Sequence, residues 1–212
     1  MKRVILLLLL VACSMDERLV TKDDIRISFK QEGEGPAVLL VHMLNSNKES
    51  WGPFSGKLHD AGFSTMAIDL RGHGESEQRW TTFGKEDFAN MEHDLDAART
   101  YLKEHKVPLV AAVGASIGAN HALRLSHRHG KLKGTVLLSP GLEYRGVTAE
   151  EFIGETPLLM YASEGDAYSA QSSKTLQARH GTLHILEGDA HGTSMLNDKI
   201  MDDIVSWLQE HS

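Results

Sequence analysis

Six short apolar runs recur along the chain, at 37–42 (AVLLVH), 64–69 (STMAID), 109–114 (LVAAVG), 135–139 (TVLLS), 157–162 (PLLMYA) and 182–186 (TLHIL). Most are almost continuously apolar rather than alternating, which predicts strands covered on both faces of a parallel sheet. Between them the period changes. Phe88, Met91, Leu95, Ala98 and Leu102 step by three or four residues and form one helical stripe. Ile200, Ile204, Val205 and Leu208 do the same near the C-terminus, and 116–129 reads as a third helix. Trp51, Phe54 and Leu58 share helical spacing and are expected in the core. Residues 25–29 read as an antiparallel edge strand. Strands alternating with helices predict an α/β fold, a mostly parallel central sheet with helices on both faces, in one domain over 25–212. Only 140–156 separate two of the strands, which leaves no room for a large cap domain and at most one short helix around 148–152.

The N-terminus breaks this pattern. Met1-Lys2-Arg3 is basic, 4–11 is unbroken apolar sequence, and Ala12, Cys13 and Ser14 follow. The run is too short to span a bilayer, which takes about 20 residues, and has the layout of an export signal over 1–12. Leu10-Val11-Ala12-Cys13 resembles the lipobox of bacterial lipoproteins. That resemblance implies acylation of Cys13 as the mature N-terminus and an exported protein held at a membrane by a lipid anchor. Ser14 after the cysteine resembles the outer-membrane sorting pattern of Gram-negative hosts. The polar stretch 13–24 reads as a tether. Cys13 is the sole cysteine, so the exported domain is expected to rely on its core rather than on disulfides.

Composition adds little more. With 41% hydrophobic and 24% charged residues the chain is an ordinary globular one. The formal net charge of -7 and scattered Lys and Arg exclude the basic stripe of a nucleic-acid binder. No cofactor or metal is expected. His127 and His129 flank Arg128, but positions i and i+2 do not share a helix face, so this reads as a solvated helix end.

The chemistry concentrates at Gly114-Ala115-Ser116-Ile117-Gly118, a G-x-S-x-G sequence after a predicted strand and at the opening of a predicted helix. Such a turn lifts a serine hydroxyl above the sheet edge, and its small flanking residues allow close packing. A serine hydroxyl needs a base near neutral pH. His191, in the loop after the last strand, is the candidate. Asp166, after the 157–162 strand, is the candidate acid that orients it, with Glu164 as the alternative. Asp189 lies too close in sequence to His191 to approach it from a separate strand. The backbone N–H groups of Ile117 and Met43 are the expected oxyanion donors. Met195 and Leu196 are candidates to line the pocket.

Over roughly 25–210 the chain resembles the α/β-hydrolase superfamily. The resemblance rests on the Ser116 turn, on Asp69-Leu70-Arg71-Gly72-His73-Gly74-Glu75-Ser76, similar to the family's D-x-R-G-x-G-x-S loop, and on Val41-His42, similar to its oxyanion-strand ending. Met43 stands where that family usually has glycine. The short 140–156 segment is similar to the small, cap-less esterases and dienelactone-hydrolase-like members. The resemblance implies a triad in the chain order Ser116, Asp166, His191, and hydrolysis of a carboxylic ester or similar acyl bond of a small-molecule substrate through an acyl-enzyme. Arg71, His73 and Glu75 are expected to be loop structure, and His42 a brace for the oxyanion loop. Haloalkane dehalogenases and epoxide hydrolases use an aspartate where this chain has Ser116. The same triad would serve an acyltransferase or a peroxidase-like reaction. A reading from another class is a lipid-anchored binding protein on a degenerate hydrolase scaffold; the complete Ser, Asp and His set argues against it.

Overall fold

The computed structural model describes residues 17–130 and 132–211. The expected signal segment, Cys13 and the start of the tether lie outside the described residues. Among the described residues there are ten strands and six α-helices. The strands are β1 (Arg18–Val20), β2 (Arg26–Glu32), β3 (Ala37–Val41), β4 (Ser64–Ile68), β5 (Leu109–Ala115), β6 (Gly134–Leu138), β7 (Glu143–Tyr144), β8 (Val147–Thr148), β9 (Leu158–Ser163) and β10 (Thr182–Leu186). The helices are α1 (Gly52–Asp60), α2 (Lys85–Asn90), α3 (Glu92–Glu104), α4 (Ile117–His129), α5 (Ala167–Gln177) and α6 (Asp198–His211). An eight-stranded sheet runs in the order β1-β2-β4-β3-β5-β6-β9-β10, with β2 antiparallel to both its neighbours, β1 and β4, and every other pairing parallel.

The apolar runs become the inner strands because each strand serves two cores. Leu39 and Val41 of β3 join one cluster, with Met66, Ile68, Leu95, Leu102, Ala119 and Leu125, under α2, α3 and α4. Their neighbours Val38 and Leu40 point the other way and pack with Trp51, Phe54, Leu58, Ile200, Ile204 and Leu208 of the α1–α6 layer. A period of two along the strand therefore fills both faces. After β3 the chain steps to β4 on one side, and after β4 it crosses back past β3 to β5. The reversal lies between β3 and β5, the kind of switch point where open α/β sheets form a crevice at the carboxyl ends of their strands.

Two expectations need correction, and one segment holds more than was expected. Ordered structure begins inside the expected tether, because β1 pairs antiparallel with β2 and buries Leu19; β1 rather than 25–29 is the sheet edge. The stripe from Phe88 to Leu102 is two helices divided at Met91, and α5 has the polar sequence AYSAQSSKTLQ, which carries no strong stripe. The 140–156 segment holds one short 3-10 helix at Glu150–Phe152, within the expectation of at most one short helix around 148–152, and in addition a β7–β8 hairpin that was not expected. No helix among the described residues is long and apolar enough to cross a membrane.

Candidate active site

Ser116 joins β5 to α4 with φ 54° and ψ -121°, a left-handed conformation for a residue with a side chain. Such backbone costs about 1–3 kcal/mol and persists only where the surroundings impose it. Here they do. The Ser116 N–H donates to the Leu138 carbonyl at 2.8 Å, and its own carbonyl accepts from Ala119 at 2.9 Å. A Cβ on Gly118 would strike the Val41 and His42 carbonyls, and one on Gly114 would strike the Gly118 backbone. The two glycines thus let the start of α4 settle against the ends of β3 and β5.

The loop after β10 brings His191 to the same edge. Ser163 Oγ donates to the Ala190 carbonyl at 2.7 Å, and the Gly192 N–H donates to Ser139 Oγ at 3.0 Å. A Cβ on Gly192 would lie 2.5 Å from the Met43 sulfur and 3.4 Å from the Ala115 Cβ, so this loop sits directly against the residue before Ser116. It also explains Met43: its side chain packs under the His191 loop, against the space a glycine leaves.

His191 Nδ1 and Asp166 Oδ2 are 2.6 Å apart. Asp166 follows β9 and caps α5, its Oδ1 accepting from the Ser169 N–H at 3.4 Å. Burial pushes the Asp166 carboxyl up, but hydrogen bonding from Ser169 and His191 outweighs it and holds the pKa below the ordinary carboxylate value. Glu164 is exposed and has no side-chain bond among the described residues, so the structure brings Asp166, not Glu164, to His191. Ser116 and His191 form no direct hydrogen bond among the described residues; such bonds commonly tighten only when substrate arrives.

The Ile117 N–H opens α4, where helix amides lack intrahelical partners. No acceptor among the described residues takes it or the Met43 N–H. Behind Met43, His42 is fully buried. Its Nδ1 meets the Met43 carbonyl at 2.7 Å and its Nε2 accepts from the Leu70 N–H at 3.0 Å. Only the neutral Nδ1–H tautomer satisfies both. Burial lowers its pKa to about 4, which keeps it neutral.

The Asp69–Ser76 loop is structural. Asp69 accepts from the Lys48 N–H at 2.7 Å, Lys48 Nζ at 2.8 Å and the Glu75 N–H at 2.9 Å. Arg71 is buried between Asp94 and Asp23, and His73 stacks on Trp80. The His127–His129 end is not simply solvated: Arg128 and His129 pair with Glu92 and Asp96 of α3. Met195 is buried with the α1–α6 layer and Leu196 packs against it.

Two residues of the site escape sequence reading. Tyr144 lies in the β7–β8 hairpin, its hydroxyl donating to the Ser139 carbonyl at 3.1 Å and 2.9 Å from Ser169 Oγ. Its ring stands edge-on to His191, with centroids 6.3 Å apart. Asn120, one turn into α4, donates to the Val147 carbonyl at 2.8 Å and accepts from the Gly141 N–H at 3.2 Å, tying both ends of the hairpin to the helix that follows Ser116. A lone amide on an apolar helix face was a usable signal for Asn120. Nothing in the hydropathy pattern marks Tyr144.

The sequence model of a known family, described as serine aminopeptidase S33, matches residues 34–154. The chain belongs to this family of α/β-hydrolases. The S33 match takes in Met43, Ser116 and Tyr144, whereas Asp166 and His191 lie beyond it and are joined to them by the fold. The non-heme chloroperoxidase CPO-A1 of Kitasatospora aureofaciens is 35% identical over 121 residues, 56% of this chain and 42% of that protein. A 2-(acetamidomethylene)succinate hydrolase of Mesorhizobium japonicum is 29% identical over 130 residues, 60% of this chain and 44% of that one. The chain thus covers less than half the length of either relative. Among solved structures, the esterase RhEst1 from Rhodococcus sp. ECU1013 superposes with a TM-score of 0.78 at 16% identity, covering 92% of this chain and 99% of that one. The esterase EaEST from Exiguobacterium antarcticum gives 0.73 at 14% identity, covering 92% and 100%. These two likenesses speak to the shared fold, a mostly parallel eight-stranded sheet covered by helices.

Proposed function

We propose that this protein is a serine hydrolase that cleaves a carboxylic ester or similar acyl bond of a small molecule. Ser116 Oγ attacks the carbonyl carbon while His191 Nε2 takes the hydroxyl proton. Asp166 holds the Nδ1–H tautomer and stabilises the imidazolium. The Met43 and Ile117 amides receive the oxyanion, and His191 returns the proton to the departing alcohol. Water, deprotonated by His191, then releases the acyl group from Ser116. The observation that carries this reading is the 2.6 Å Asp166–His191 pair, on a loop fastened against the strained Ser116 turn. The esterase names among the solved neighbours accord with it.

The test is turnover of p-nitrophenyl acetate and butyrate together with labelling by a fluorophosphonate probe. Ser116→Ala is expected to lose both, with kcat down by about 10⁶. Equal rates for variant and wild type would end the proposal, and a folded wild type that takes no label would point to the binding-protein reading. We further propose that Cys13 is acylated and holds the enzyme at a membrane of the cell envelope, a reading supported by the sequence around it. In cells, Cys13→Ser is expected to lose both membrane fractionation and labelling by an alkyne fatty-acid analogue. Retention of either argues against the anchor.

A further inference from the structure

The β7–β8 hairpin carries Tyr144, and the structure holds that hairpin at several points. Asn120 bonds both of its ends from inside α4. Tyr168 of α5 clamps its rim, since its hydroxyl donates to the Glu143 carbonyl at 2.7 Å and accepts from the Glu143 N–H at 3.0 Å. The Tyr168 ring packs edge-on against Tyr144, with centroids 5.6 Å apart. A Cβ on Gly141 would lie 2.7 Å from the Tyr144 ring and 2.8 Å from the Tyr168 ring, so only glycine admits them both.

Fixed in this way, Tyr144 reaches the candidate acid and the candidate base at once. Its hydroxyl donates to the Ser139 carbonyl at 3.1 Å and lies 2.9 Å from Ser169 Oγ. Both serines are fully buried, and each holds one half of the Asp166–His191 pair. The Ser169 N–H donates to Asp166 Oδ1 at 3.4 Å. Ser139 Oγ accepts from the N–H of Gly192, the residue after His191, at 3.0 Å. Ser139 does this from a left-handed backbone, φ 52°, which surrounding contacts must impose on a residue with a side chain. Burial pushes the Tyr144 pKa up to about 12, so the phenol keeps its proton across the working range.

A single hydrogen bond fixes one point of a ring, not its plane. His191 Nδ1 meets Asp166 Oδ2 at 2.6 Å, yet 38% of the His191 side chain is exposed, and the imidazole could turn about that bond. The Tyr144 ring stands across it, with 89° between the planes and centroids 6.3 Å apart, an edge-on geometry that aromatic pairs favour. This contact supplies the second constraint. We infer that Tyr144 is a positioning residue: it sets the plane of His191 and its register with Asp166, so that Nε2 meets Ser116 when substrate arrives. This inference rests on the hydrolase reading above.

The experiment measures kcat and KM for p-nitrophenyl acetate and the rate constant of fluorophosphonate labelling, with kcat and the labelling rate expressed per site that finally takes the label. Tyr144→Leu still fills space beside Gly141 and Tyr168 but presents neither the ring nor the hydroxyl. It is expected to lower kcat by about 10²-fold, the cost of misplacing a reacting group by about 1 Å. KM should change little, since the loss lies in the transition state. The labelling rate constant should fall by the same factor, because labelling needs the same proton transfer from Ser116 to His191. Tyr144→Phe restores the ring and lacks only the hydroxyl. Its kcat is expected about three- to tenfold below wild type, what one neutral hydrogen bond commonly contributes. It also carries the test if the leucine variant does not fold. A role in folding alone would lower the fraction of sites that take label and leave the rate per site as in wild type. That result in either variant overturns the inference. So does a loss confined to KM, which would place Tyr144 in substrate binding instead. A wild type that neither labels nor turns over any ester removes the hydrolase reading, and this inference with it.

Discussion

Replacing Asp166 by asparagine separates orientation from shape. The carboxylate does two jobs with its two oxygens: Oδ1 accepts from the Ser169 N–H at the start of α5, and Oδ2 faces His191 Nδ1 at 2.6 Å. In Asp166→Asn the helix cap selects the carbonyl oxygen for Ser169, because an amide NH2 cannot accept that bond. The NH2 is then turned toward His191 Nδ1 and donates to it. The imidazole proton moves to Nε2, the nitrogen that must accept the proton of Ser116. A loss of about 10⁴ in kcat is expected, as for the wrong tautomer in serine proteases, equivalent to about 5 kcal/mol of transition-state stabilisation. Stability should change by less, about 1 kcal/mol, since the cap survives. The assay is p-nitrophenyl acetate turnover across neutral pH, paired with thermal unfolding. A kcat within about tenfold of wild type in a folded variant would refute the tautomer argument and return Glu164 to consideration.

Three further expectations follow from the same geometry. His42 is neutral in the fold with a pKa of about 4 against about 6.5 when unfolded, so the unfolded chain binds more protons between these values. Its contribution to stability is full above about pH 6.5 and is lost as the pH falls toward about 4. Denaturant unfolding should accordingly show a pH slope that is reduced in His42→Gln by up to about 1.4 kcal/mol per pH unit; an unchanged slope would show that His42 titrates normally. Asn120→Ala leaves the Gly141 N–H and the Val147 carbonyl unpaired beside the hairpin, a loss of about 3 kcal/mol that calorimetry should register as a melting point lower by about 6–12 °C. Gly118→Ala forces a methyl into the Val41 and His42 carbonyls, so fluorophosphonate labelling of Ser116 should be abolished or the protein should fail to fold; normal labelling would contradict the packing described.

The depth to which the site was legible follows from how local each part is. The Ser116 turn is written in five consecutive residues, because the close contacts of Gly114 and Gly118 are with the turn itself and the strand beside it. The core strands were legible because burial on both faces demands continuous apolar sequence. α5 was not, since it buries small polar residues such as Ser169, Ser172 and Ser173, and no hydropathy period marks them. Residues 18–20 read as tether because one buried leucine between two charged or exposed neighbours carries almost no pattern.

The sequence by itself determined the α/β class and the positions of the candidate nucleophile and the candidate base. It left Asp166 and Glu164 as rivals, because two carboxyls two residues apart differ in reach only once the end of β9 and the cap of α5 have taken shape. Tyr144 belongs to the tertiary structure alone. It lies 28 residues beyond Ser116 in a hairpin of ordinary composition, and its ring stands against His191 only because Asn120 and Tyr168 fasten that hairpin over the carboxyl ends of the strands. Contacts between residues distant along the chain depend on where whole elements dock, and docking is settled by the summed packing of both cores, which no short stretch of sequence records.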